Sequence, residues 1–472
     1  MKTECHESQL EFQEICGRRV VGAFDAGRTS SDAGLLLMRE VSERTGLLRD
    51  FAGCFTDHRR EDLIEHPLEQ LLAQRVLGLA CGYEDLSDHD VLRDDVLLSL
   101  CSGQSDLLGE RRRREQDKGH ALAGKSTLNR LELTPATADR NSRYQKVVYN
   151  ADSIDQFFVN VFLNAHVRAP KQIVLDLDAT DDPLHGKQEG RFFHGYYRSY
   201  CYLPLYIFCG DFLLCARLRR SNIDASAGSV EELERIVKLV RARWPKVEII
   251  IRADSGFARE SIMAFCEKSK IHYVVGLAKN ARLGEMIAGD LELARLECER
   301  TAQPARRFRD LRYKTLKTWS RPRRVVAKAE QIPGKSNPRF VVTSIARSEV
   351  KAQELYEKLY CARGDMENRI KEQQLGLFAD RTSTATMRAN QLRLYFSSVA
   401  YVLMNELRRV GLEGTEMQDA QVGTIRVRLL KCAAVVTLSV RRVYVSLSSV
   451  FPLQTLFARV LEKLRVALPM PP

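Results

Sequence analysis

The stretch from Gln172 to Leu277 constrains the fold more than any other part of the chain. Three strand-like apolar runs come first: Ile173–Asp178, Tyr202–Cys209 and Phe212–Leu218. The Cys209-Gly-Asp211 turn joins the last two as a hairpin. An amphipathic helix over about 229–243 follows, then a strand at Val247–Ala253, a helix over about 258–269 and a strand at His272–Leu277. Three antiparallel strands followed by helix–strand–helix–strand predict an α/β fold with a mixed sheet, not a purely alternating parallel one. Two of the apolar runs end in aspartate, at Asp178 and Asp254.

That order matches a ribonuclease H-like catalytic core. The remaining segments are arranged around it. Residues 1–150 read as a mostly helical, DNA-binding N-terminal region, with a strand at Val20–Asp25, a capped helix from Ser31 to about Arg49, and helical spacing of Leu68, Leu71, Leu72, Val76 and Leu79 after Pro67. The core spans 151–279, opening on an apolar helix at 153–166, and resumes over 348–412. Between its halves, 280–347 is a basic β-rich insertion, with 13 Lys/Arg against 3 Asp/Glu over residues 301–350. A C-terminal α+β region occupies 413–472.

The formal charge of +12 over 472 residues favours a polyanionic partner, since net charge argues for partners and not for fold. The twelve cysteines form no C-x-x-C pair and no zinc-spaced cluster. Cys209 and Cys215 lie on neighbouring runs and are expected as buried thiols. No stretch approaches the ~18–20 continuous apolar residues of a membrane span, so a soluble cytoplasmic protein is expected by default.

Candidate chemistry centres on carboxylates. Asp176 and Asp178 share one face of their strand because side chains alternate with period two. Asp254 precedes Ser-Gly, where it either caps the next helix or faces the end of the first strand. A long helix is predicted from about Val350 to Gln374. At 100° per residue, Tyr360, Arg363, Glu367, Lys371 and Gln374 fall in a stripe about 80° wide, while Asp365 and Glu372 lie off it. Glu367 is therefore the third carboxylate. Asp178, Asp254 and Glu367 supply the hard oxygen ligands for two Mg²⁺ or Mn²⁺ ions about 4 Å apart, the arrangement that drives in-line phosphodiester chemistry. Asp178 is expected to bridge both ions. Arg363, Lys371 and Tyr360 are expected on DNA phosphates.

With these residues in place, the chain resembles a bacterial insertion-sequence DDE transposase, of the branch with a Y-x2-R-x3-E-x6-K signature and a β-rich insertion between the second Asp and the Glu. Tyr360, Arg363 and Glu367 match in spacing; Gln374 stands where the lysine is expected, and Lys371 is the nearest lysine on that face. Asp176–Gln188, Gly78–Arg93, Tyr202–Leu205 and Gly423-Thr-Ile-Arg426 also resemble the branch. The resemblance implies binding of terminal inverted repeats, hydrolysis, strand transfer into double-stranded target DNA, and a homodimer joining two ends. In some members of the branch a tryptophan of the insertion stacks on a flipped DNA base, worth about 1–3 kcal/mol, which makes Trp319 either such a DNA contact or an ordinary core tryptophan. Arg111, Arg112, Arg113 and Arg114 form a second expected DNA contact.

Rival readings are weaker. Gly119-His-Ala-Leu-Ala-Gly-Lys-Ser126 has the Walker A spelling, but the charged Arg111–Lys118 precedes it where a P-loop needs a buried strand. His185 and His194 are too isolated for primary metal ligands. A hydrolytic nuclease on the same fold, or a non-catalytic DNA-binding regulator, are the alternatives to a transposase.

Overall fold

A computed structural model describes residues 9–468. The chain divides into two compact units, residues 149–398 and residues 1–148 with 399–472.

The first unit is built on a nine-stranded sheet. Its strands are β1 (Gln172–Ala179), β2 (Leu205–Cys209), β3 (Phe212–Arg217), β4 (Glu248–Ala253), β5 (His272–Leu277), β6 (Ala305–Tyr313), β7 (Arg323–Ile332), β8 (Lys335–Ser336) and β9 (Arg339–Thr343). They lie in the order β3-β2-β1-β4-β5-β9-β7-β6, with β8 paired to β7. The β1/β4 and β4/β5 pairs are parallel, and β2 is antiparallel to both β1 and β3. Cys209 and Cys215 stand on the β2–β3 hairpin as thiols, with no disulfide between them. The helices are α1 (Ala151–Asn164), α2 (Ser229–Arg243), α3 (Glu260–Lys268), α4 (Ala281–Met286), α5 (Ala288–Thr301), α6 (Gly364–Lys371) and α7 (Met387–Glu406), the last crossing the boundary between units.

The central strands are almost continuously apolar because both faces of the sheet are covered. On one face Leu175, Leu177, Ile249, Ile251 and Val275 pack with Phe162 of α1 and Leu233 and Ile236 of α2. Each such fully buried aliphatic side chain contributes about 1.5–3 kcal/mol. The alternate residues Val174, Ile250, Val274, Val326 and Val341 face Leu355 and Tyr356 of the helical run that follows β9. Period-two alternation therefore puts Asp176, Asp178, Arg252 and Gly276 on the same face as that run.

The sheet departs from the expected layout in one respect. Residues 280–347 do not stand apart from the core: β9, β7 and β6 extend its sheet beyond β5. An edge strand like β5 exposes unpaired backbone groups, and β9 satisfies them antiparallel. The helical run from Ala352 to Gly376 is also irregular. Wide turns occupy Leu355–Tyr360 and Glu372–Gly376, and a tight turn spans Cys361–Arg363.

In the second unit, Leu68–Cys81 is a helix buried nearly all round, starting after Pro67 as its spacing predicts. The helix expected from Ser31 to Arg49 is two, Leu35–Thr45 and Leu47–Ala52, broken at Gly46, whose φ of +71° is the left-handed geometry glycine tolerates. No side chain caps the first of them. Val20–Asp25 is replaced by a short hairpin, Leu10–Ile15 with Arg18–Gly22, and Asp25 lies outside it. Ala434–Leu438 and Val443–Leu447 pair antiparallel, before a helix at Gln454–Ala467, in keeping with the α+β reading of 413–472. Among the described residues, no helix is long and apolar enough to cross a membrane.

Candidate active site

The parallel β1/β4 register pairs Leu177 with Ala253, so the next residues, Asp178 and Asp254, leave the sheet side by side. Both line one cavity of about 550 Å³ in the 149–398 unit, together with Arg363, Glu367 and Lys371 from the helical run. The three carboxylates picked from the sequence thus meet in one place. Nothing in their sequence separation requires this; adjacency of the two strand ends and the docking of the helix produce it.

Asp178 is half-buried, and burial pushes its carboxyl up to about 6; Arg363 opposes this, while Asp254 and Glu367 add to it. Its Oδ1 accepts from the Ala179 amide at 2.9 Å. The Arg363 guanidinium donates to Asp178 Oδ2 at 3.3 Å and to Glu367 Oε1 at 2.8 Å, holding the two together. Asp254 caps the turn at Ser255–Phe257, accepting from Gly256 N at 2.8 Å. Its capping role and its place in the cavity coexist, since the cap engages Oδ1.

As they stand, no three His, Cys, Asp or Glu side chains among the described residues are close enough together to hold an ion. The donor chemistry nevertheless fits a divalent cation. Three carboxylates converge on one cavity, Asp178 is destabilised as an anion by burial and by its neighbours, and Arg363 supplies the positive charge that bridges two of them.

Asp176 has a different role from Asp178. It pairs with Arg252, its register partner on β4, through Nε–Oδ1 at 2.5 Å and Nη2–Oδ2 at 2.7 Å. Arg252 also donates Nη1 to the Leu359 carbonyl at 2.7 Å. One buried guanidinium thus ties β1, β4 and the helical run together immediately below the carboxylates. The signal for it was present, because an arginine inside the apolar run Ile249–Ala253 needs a buried partner.

Tyr360 departs from the expected stripe. The wide turn before it and the tight turn after it carry its ring to a neighbouring cavity, against Gly276 of β5. A Cβ on Gly276 would stand 2.6 Å from the Tyr360 hydroxyl oxygen and 3.0 Å from the Ser255 amide nitrogen. Glycine inside the strand Val274-Val-Gly-Leu277 marks this close approach. Gln374, which occupies the signature lysine position, turns its amide to the Asp181 carbonyl at 3.0 Å and to Asp182 Oδ1 at 2.8 Å. Burial pushes the Asp182 carboxyl up to about 8, and the Gln374 amide that donates to it opposes this.

Three further side chains line the cavity, two of them tyrosines that spacing did not single out. The hairpin of Phe192–His194 and Ser199–Tyr202 brings His194, Tyr196 and Tyr197 to its wall. His194 stacks on Tyr197 at 4.9 Å between ring centroids, and Tyr197 donates to the Ala179 carbonyl at 3.3 Å. Tyr196 is 83% exposed. His185 is exposed and is not among the residues lining this cavity. The crowded aromatic run Phe192-Phe-His-Gly-Tyr-Tyr197 was the available signal.

Two expected DNA contacts are corrected. Trp319 is 4% exposed, packed edge-on against Tyr313 at 5.7 Å and under Arg323, so it has no face to offer a base. Its place at the end of the β6–β7 connection turns it into the core. Of the four arginines in the second unit, Arg112 is buried and donates to the carbonyls of Glu65, His120 and Ala121. Arg113 donates to the Asp62 carbonyl, and only Arg111 and Arg114 extend their guanidinium groups without such a bond among the described residues. The Walker A spelling lies in this unit too. A short helical turn, not a strand, precedes it, and Lys125 is paired with Asp90 at 2.9 Å.

The profile of the transposase DDE domain group 1 family matches residues 12–468. The chain belongs to this family. The match runs through both units and spans all three carboxylates. No curated protein matches the chain. Membership makes it a transposase-family protein that acts on DNA, and the divalent-metal chemistry general to the family agrees with the oxygen-rich donor set found here.

Proposed function

We propose that the chain binds the terminal inverted repeats of a bacterial insertion sequence and cuts and joins their phosphodiesters at Asp178, Asp254 and Glu367, as a member of the Y-x2-R-x3-E branch on a ribonuclease H-like core. The observation that carries this reading is the convergence of the three carboxylates on one cavity, at the ends of two adjacent parallel strands. The β3-β2-β1-β4-β5 strand order supports the core assignment, and the Tyr360, Arg363 and Glu367 spacing supports the branch.

The three carboxylates would hold the Mg²⁺ or Mn²⁺ ions. Bound there, a pair of ions supplies activation of water or a 3′-hydroxyl and stabilisation of the leaving oxygen. Arg363 keeps Asp178 and Glu367 together, and with cations held by those carboxylates its guanidinium would be available to a DNA phosphate. Lys371, exposed at the same cavity, adds a second phosphate contact. Arg252 and Gly276 position this set through Leu359 and Tyr360 without touching DNA. A homodimer joining two element ends completes the reading.

The test uses purified protein, Mn²⁺ and a duplex bearing the inverted repeats that bracket the gene. Asp178→Ala, Asp254→Ala and Glu367→Ala are each expected to abolish cleavage and leave end binding intact. Loss of folding in all three would make the carboxylates structural. Hydrolysis without joining to target DNA would make the protein a nuclease.

A further inference from the structure

Next to the carboxylate cavity lies a second one of about 390 Å³, bounded by the ends of β5 and the β7–β9 connection. Ser255 lines both, so the two cavities share a wall one residue after Asp254. Their linings have opposite character. No acidic side chain among the described residues lines the second cavity, whereas Lys279, Lys335 and Arg339 all do. Tyr360 and Gly276 form its floor.

Pairing and position together set these cations apart. Of the thirteen Lys/Arg in 301–350, eight form ion pairs: Arg306, Arg307, Arg309, Arg321, Arg323, Arg324, Lys328 and Arg347. The other five, Arg312, Lys314, Lys317, Lys335 and Arg339, form none among the described residues; of these Lys335 and Arg339 line the second cavity, where Lys279, which follows β5, joins them, also without an ion pair. All three are exposed. Three like charges gathered without counter-charges around one concavity repel one another, and an anion seated between them relieves that repulsion. Exposed ammonium and guanidinium groups on a concave surface are suited to phosphate oxygens, with Arg339 able to bind two at once.

We propose that this cavity is a phosphodiester subsite, in which Lys279, Lys335 and Arg339 hold backbone phosphates of a DNA strand as it leaves the carboxylate cavity past Ser255. The proposal rests on the functional reading above and adds to it where the strand runs. It also gives the residues 332–339 turn a purpose: it carries two cations to the rim of the active site, while most of the cations on the added strands are paired with carboxylates.

The experiment compares wild type with Lys279→Gln/Lys335→Gln/Arg339→Gln on a duplex carrying the DNA that flanks the gene, across a salt series. At about 0.9 per phosphate contact, loss of three contacts lowers the slope of log K against log salt by about 2.7. Single neutral methylphosphonates are then walked along each strand. At the positions served by the cavity they weaken wild type and leave the triple variant unchanged. An unchanged slope, or methylphosphonates that weaken both proteins equally at every position, overturns the proposal. Saturable binding of a deoxynucleoside monophosphate that the variant loses, with an unchanged DNA slope, overturns it in favour of a free-nucleotide site. A wild type that neither binds nor cleaves the duplex sinks the functional reading itself, whereas normal cleavage with an unaltered slope sinks only the subsite. Matching thermal unfolding of the two proteins shows that the variant is folded.

Discussion

Replacing Gly276 with alanine adds one methyl group, and the structure says where it goes. The new Cβ would meet the Tyr360 hydroxyl oxygen at 2.6 Å, the Ser255 amide nitrogen at 3.0 Å and the Asp254 carbonyl carbon at 3.2 Å, against an ordinary contact of 3.4–4 Å. The strand cannot yield, because β5 is hydrogen-bonded between β4 and β9. The ring must therefore withdraw by about 1 Å and the turn after Asp254 by a few tenths. Overpacking of this kind costs about 1–3 kcal/mol, which a unit with so large a core survives. A displacement of about 1 Å at a reacting centre costs about 100-fold in rate, and the few tenths imposed on the Asp254 turn correspondingly less. Metal-dependent cleavage by Gly276→Ala is accordingly expected to fall about 10-fold while thermal unfolding shifts only modestly. Removing the nearest clashing atom tests the cause: in a Tyr360→Phe background, the same glycine substitution is expected to cost much less. Cleavage within a few-fold of wild type, or an equal loss in both backgrounds, would refute the argument that Gly276 sets the position of Tyr360 and Asp254.

Further predictions follow from the same contacts. Because burial raises the Asp178 carboxyl from 3.8 to about 6, the metal-free folded protein holds a proton between those values that the unfolded chain has released. Stability then falls as pH rises through that window, so Asp178→Asn should gain about 2–3 kcal/mol over wild type near neutral pH and nothing below about pH 4 in urea titrations. A gain independent of pH would count against it. Arg252→Met strands the buried Asp176 carboxylate and should cost about 3–5 kcal/mol, most of it recovered by adding Asp176→Asn. Failure of that second change to restore the melting temperature would show that the pair is not the cause. Trp319→Ala should cost about 3–5 kcal/mol in unfolding measurements, with DNA-end affinity of the folded protein unchanged. Arg112→Gln should lower the melting temperature, whereas Arg114→Gln should leave it alone. Equal effects on stability would show that the three carbonyl bonds of Arg112 carry no weight.

Much of this was legible from local pattern. The βββαβαβ order, the α2 helix and the strands ending at Asp178 and Asp254 follow from hydrophobic periodicity, which is a short-range property of the chain. Glu367 was separable from Asp365 and Glu372 because four-residue spacing on a helix is local, and the Arg363–Glu367 contact at 2.8 Å reflects that spacing. Tyr360 was misplaced because the arithmetic assumed 3.6 residues per turn through a stretch that is wide and then tight. Trp319 and Arg112 were misread for a related reason: residue type and neighbouring charge do not reveal burial. Gln374 shows the same limit, as its partner Asp182 is 192 residues away.

What the amino-acid sequence determined alone was which segments are strands and helices, and which of them end in a carboxylate. Tertiary structure decided which ends meet. The parallel β1/β4 register sets Asp178 beside Asp254, the Arg252 guanidinium fastens the helix of Glu367 beneath them, and the extra strands lie on β5 so that their unpaired cations reach the same rim. Those relations join residues far apart in the chain through hydrogen-bond register and buried charge, and neither is written in any single segment.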